Sequence, residues 1–199
     1  MKALILGAIS FLMFPTVSRA GAASQYLGYT VINQNLRERI MTPDSTFNLG
    51  KYLGENRSEP RANGGLLALL GTYVGGDLDA GFRNGDPNPM NSILWYVALG
   101  GLARDFAKQC DTPPSDLPLS PEFKTVLMKF CTWPNGAQLT DDQLYSFWNS
   151  LVGFDAPNDE FQAWRDFARS PEMVAMPAKA AIQSLGLAAL FNPYFLLRP

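Results

Sequence analysis

"TDDQLYSFWNSLVGF", residues 140–154, decides the fold class. Thr140 stands three residues ahead of Gln143, the spacing of a capping box. In that motif the hydroxyl accepts from a free N–H of the first turn, and the Gln side chain reaches back to the cap. Asp141 and Asp142 fall in the same first turn, where negative charge opposes the helix macrodipole. Neighbouring helical residues point about 100° apart, so these two carboxylates read as helix-start electrostatics and not as a pair sharing a proton. Phe147 and Trp148 follow at helical spacing and read as core.

Outward from this segment the same grammar recurs. "SPEFKTVLMKF" (120–130) has Ser120 as cap, Pro121 at the first helical position and Glu122 in the first turn. "SPEMVAMPAKAAIQSLGLAALF" (170–191) repeats that start at Ser170, with Pro177 placed to break or kink the helix. "NDEFQAWRDFARS" (158–170) sets Phe161, Trp164, Phe167 and Ala168 on one face. Toward the N-terminus, Tyr29, Ile32, Leu36 and Ile40 form an apolar line at spacings of three and four, closed by Pro43 and Asp44. The stretch 42–65 reads as loop with one short turn, and "LLALLGTYV" (66–74) as a short apolar helix ended by Gly75 and Gly76. "NSILWYVALGGLARDFAKQC" (91–110) takes Asn91 or Ser92 as its N-cap. In it Ile93, Tyr96, Val97, Gly100 and Arg104 track one face, and Gly100 and Gly101 predict close approach of another helix. No run alternates as a strand does. The expectation is an all-α single compact domain of about seven helices, with long polar loops and one disulfide.

The first twenty residues read differently. Met1 and Lys2 give a positive start, "ALILGAISFLMFPTV" is apolar and uncharged, and Ser18 with Ala20, or Ala20 with Ala22, suit a signal peptidase. That run is shorter than the roughly 20 residues that span a bilayer. The expected division is therefore 1–20 signal peptide and 21–199 one domain, periplasmic or secreted. Loss of Lys2 and Arg19 lowers Lys+Arg from 16 to 14 against 18 Asp+Glu. No basic stripe is left to neutralise phosphates, which argues against nucleic acid as a partner. Cys110 and Cys131, an even count in an oxidising compartment, predict a disulfide. Closing a loop of about twenty residues stabilises by roughly 3 kcal/mol. The chain has no histidine, which removes Ser-His-Asp and Cys-His nucleophilic arrangements, histidine-bound zinc and a histidine haem ligand. Neither cysteine lies in a CxxC or CxxCH motif, so no haem attachment is expected.

Calcium takes six to eight oxygens, and "GGDLDAGFRNGDPNPMNS" (75–92) offers Asp77, Asp79, Asn84, Asp86, Asn88 and Asn91. The spacing is not an EF-hand: Gly81 stands where a third ligand belongs, and no Glu arrives at the twelfth position. Asp-Gly, Asn-Gly and Asn-Pro steps are also what turns are made of. The loop reads first as a helix connection and second as a calcium site. A carboxylate-dependent cell-wall hydrolase would need a Glu in an apolar pocket, whereas Glu122 and Glu172 follow Ser-Pro at helix starts. Trp133, in the turn "TWPNG", and the apolar tail with Tyr194, Phe195 and Leu196 are candidate partner contacts.

"LTDDQL" (139–144) with "LFNPYFLLR" (190–198) resembles the helical region of large exported planctomycete-type proteins associated with cytochrome c domains. There an L-T-x-x-E start precedes a helix ending L-L-x-S-P-x-F-L-Y-R. Pro193, Phe195, Leu196 and Arg198 match that ending, while Asn192 replaces the serine, Leu197 the tyrosine and Gln143 the acidic residue. The resemblance covers residues 139–198 and implies an exported helical module without the haem-binding part. It transfers no catalytic residue. The functional expectation is a non-enzymatic accessory or binding protein of the bacterial envelope, acting through protein contacts. The alternatives are a calcium-stabilised binding module and a cell-wall hydrolase.

Overall fold

The computed structural model describes residues 25–26, 29–53, 89–132, 139–153, 158–192, 195 and 197–198. Seven α-helices run through them: α1 (Tyr29–Ile40), α2 (Pro89–Ala107), α3 (Pro121–Cys131), α4 (Asp141–Val152), α5 (Asn158–Ala168), α6 (Pro171–Val174) and α7 (Ala178–Leu190). Short 3-10 turns at Leu49–Leu53 and Lys108–Cys110 complete the helical part. A two-residue antiparallel ribbon joins Gln25–Tyr26 to Leu197–Arg198.

The helix starts are built as their sequences require. Thr140 Oγ1 accepts from Gln143 N at 3.3 Å, and Thr140 N donates to Gln143 Oε1 at 2.9 Å, closing the box. Ser120 Oγ accepts from Phe123 N, and Ser170 Oγ from Met173 N. Proline lacks the N–H that a helix interior needs. Pro177 accordingly ends the Ser170 segment after one turn and stands as the N-terminal flank of α7. One start differs from expectation: α2 begins at Pro89, ahead of Asn91 and Ser92. Proline is well suited to a first helical turn, where its missing donor costs nothing.

α7 is the spine. It packs along α2 and also touches α3, α4 and α5. A Cβ on Gly186 would lie 3.3 Å from Phe106 Cδ2 and 3.6 Å from Ala103 Cβ, so glycine is what lets α7 settle onto α2. Aromatic rings then carry the core from helix to helix. Phe106 meets Phe123 edge-on at 5.2 Å, Phe123 stacks on Phe147 at 6.0 Å, and Phe147 stacks on Trp164 at 6.1 Å. Trp164 is buried, and its indole N–H donates to the Leu185 carbonyl at 3.1 Å. That bond relieves the cost of burying a polar tip.

Two long-range ties fix α1. Its last carbonyl, on Ile40, accepts from Ser120 N, and Thr42 N donates to the Pro118 carbonyl, both at 2.9 Å. Arg39 Nη1 donates to the Leu151 carbonyl at 3.1 Å, a cation placed at the negative end of α4. Gly153 ends α4 at φ 96, where a side chain is strained. A Cβ there would also lie 2.6 Å from Arg39 Nη1. The predicted disulfide is present: Cys110, at the end of its 3-10 turn, is bonded to Cys131, the last residue of α3, with Cα atoms 5.3 Å apart.

Candidate functional site

α2 carries the feature that packing does not explain. Trp95, Ala98, Leu99, Leu102, Ala103 and Phe106 are all buried, and they form the core face of the helix. The opposite face holds Ile93, Tyr96 and Val97, exposed by 56%, 49% and 47%. Gly100 continues that line, and a Cβ built on it would meet nothing within 4 Å. Arg104 ends the line, exposed. Spacings of three and four place these residues along one ridge, with a notch at Gly100. Phe191, at the end of α7, flanks the ridge and meets the Tyr96 ring edge-on at 6.0 Å.

This corrects the expected use of the glycine pair. No helix covers Gly100 among the described residues. Gly101 is the one closely approached, by Tyr52 of the 3-10 turn. The physical reason is that α2 is apolar on both sides. Periodicity then cannot choose a face, and the larger Trp95, Leu99, Leu102 and Phe106 side chains win the interior.

Beneath Tyr52 lies the one strongly organised charged group. Tyr52 Oη donates to Asp105 Oδ2 at 2.8 Å, Lys108 Nζ to Asp105 Oδ1 at 3.0 Å, and Lys51 Nζ stands 3.5 Å from Oδ2. The Lys51 ammonium also lies 4.7 Å from the Tyr52 ring centroid. Partial burial works to raise the Asp105 carboxyl. The hydrogen bonds from Tyr52 and Lys108, with the charges of Lys51 and Lys108, outweigh it and hold the carboxyl below its usual range. Burial, then the hydrogen bond to Asp105 and that residue's charge, push the Tyr52 phenol far above its ordinary value. Asp105 is thus a fixed anion that anchors the 3-10 turn to α2, the reverse of a carboxyl poised to give up a proton. Sequence reading passed over it. The available signal was its place as the one acidic residue in Pro89–Ala107.

Of the partner contacts expected from sequence, Phe195 is a core residue, 2% exposed. It faces inward in this chain and is no surface contact. Trp133, Tyr194 and Leu196 lie outside the described residues, as do Asp77, Asp79, Asn84, Asp86 and Asn88 of the calcium reading. Among the described residues, no group of three or more Cys, Asp or Glu is placed to hold a metal ion. No described helix is long and apolar enough to cross a membrane. Comparison of the chain with protein-family models, with curated proteins and with solved structures gives no match.

The α2 ridge can act by one kind of chemistry: removal of apolar surface from water on contact with a complementary surface. Fully covering a side chain of this size is worth about 1.5–3 kcal/mol.

Proposed function

We propose that the chain is an exported, non-enzymatic helical binding protein of the bacterial envelope, working through protein contacts made by the exposed face of α2. The observation that carries this reading is the ridge of Ile93, Tyr96 and Val97, with Phe191 beside it and the notch at Gly100. Large apolar side chains grouped on one exposed helix face favour an interaction surface over a solvated one. The disulfide is compatible with an oxidising compartment, and the signal-like start and the resemblance of residues 139–198 to an exported helical module point the same way.

A photo-reactive phenylalanine analogue in place of Tyr96 tests the surface, with Lys124 on exposed α3 as control. The reading expects one discrete crosslinked protein from position 96, absent from 124 and lost when Ile93→Asp is added. Equal crosslinking at both positions, or none at 96, overturns it. Export is tested separately by N-terminal sequencing: a chain beginning at Gly21 or Ala23 supports it, and a chain retaining Met1 in the cytoplasm opposes it.

A further inference from the structure

The sulfur atoms around the bridge play no part in the function proposed above. Met128 precedes Cys131 by three residues on α3, so the two share a helix face. Its Sδ lies 3.9 Å from Cys131 Sγ, while the residue itself is 42% exposed. Cys110 and Cys131 are half-buried beneath it. Three sulfurs therefore stand together at the surface, with the thioether on the solvent side. We infer that, once the bridge is reduced, Cys110, Cys131 and Met128 bind a single Cu(I) ion.

Two thiolates and a thioether are a soft donor set, the kind that selects Cu(I) over oxygen-seeking cations. Structural zinc needs four ligands, and among the described residues no third Cys, Asp or Glu stands with the two cysteines to help supply them. The position at the end of α3 also suits a cation, because the free carbonyls of a last helical turn carry partial negative charge. A methionine kept only as packing belongs in an irregular core gap, whereas this one leaves much of its surface in water while touching the bridge. The chemistry balances in two steps. A dithiol exchanges with the bridge, loses two electrons and two protons in becoming a disulfide, and leaves Cys110 and Cys131 as thiols. Cu(I) then replaces the two thiol protons, which pass to solvent, and the Met128 sulfur donates a lone pair. Copper does not change oxidation state.

The full chain, reduced with dithiothreitol and freed of it anaerobically, is titrated with Cu(I) held in its bicinchoninate complex. The proposal expects one equivalent of copper to be withdrawn by the reduced chain and none by the oxidised one. Met128→Leu, checked for an unchanged near-UV circular dichroism spectrum, loses the competition with bicinchoninate. Failure of the reduced chain to withdraw copper overturns the site. So does equal withdrawal by Met128→Leu, or by the reduced chain unfolded in urea, since the fold would then contribute nothing.

Discussion

A Cβ on Gly101 would lie 2.5 Å from Tyr52 Cδ1 and 2.9 Å from Tyr52 Cβ, distances no side chain tolerates without movement. Tyr52 has little freedom to move, because its hydroxyl is held by Asp105 and its ring lies under the Lys51 ammonium. Gly101→Ala should therefore lower stability by about 1–3 kcal/mol, read as a fall in the denaturant midpoint. Gly100, one residue away, faces open space. There alanine removes only the entropic penalty of glycine, so Gly100→Ala should be neutral or stabilising by up to about 1 kcal/mol. The same cluster sets a pH dependence. Asp105 is held below its ordinary value in the folded chain, so the unfolded state binds more protons through the titration. Its contribution is complete above the unfolded value of about 3.9 and is lost as pH falls through the folded value. Asp105→Asn should flatten that acid limb of a stability profile while lowering stability at neutral pH. An acid limb unchanged by the substitution would show that the carboxylate is not held as its partners imply.

At the scale of elements, what could be read from sequence was what is local. The Thr140, Ser120 and Ser170 caps each depend on residues within one turn, and all three form. Thr140→Ala removes one half of a box whose other half, the Gln143 side chain, needs the same helix start. It should cost about 1 kcal/mol, measurable by chemical denaturation. Gln143→Ala should cost less, because the hydroxyl still serves one N–H. The break at Pro177 was equally legible, since a missing donor acts on its own helix. The exposed face of α2 was not legible, because Ile93, Tyr96 and Val97 are as apolar as the residues buried behind them. Pairings between remote segments were also invisible. The ribbon of Gln25–Tyr26 with Leu197–Arg198, and the Met41–Leu119 bridge, are too short to leave an alternating pattern. The Arg39 cap on α4 spans 112 residues of sequence, and nothing near either partner announces it.

Across the whole molecule, two cross-links of different kinds hold α2 to α3, and they can be separated. One is the ring contact of Phe106 with Phe123 inside the core; the other is the Cys110–Cys131 bridge at the edge of it. A calcium-bound loop at 75–92 would add a third constraint. Saturating calcium should then raise the melting temperature over chelator, by about 2.7 kcal/mol of stability at a hundred times the dissociation constant. The shift should vanish in Asp77→Ala/Asp79→Ala, whereas coincident melts of the unsubstituted chain remove the calcium reading. For the bridge, the paired substitution Cys110→Ser/Cys131→Ser frees a loop with a sequence separation of 21, worth roughly 3 kcal/mol in the chain-entropy model. For a chain of this size that corresponds to a fall of about 6–12 °C in melting temperature. Because Phe106, Phe123, Phe147 and Trp164 are packed independently of the sulfurs, the loss should appear as lower stability of the same fold, with the near-UV spectrum of the aromatic core intact. Collapse of that spectrum at room temperature would instead make the bridge a condition of core packing. The reduced chain would then have no organised surface on which three sulfurs could meet.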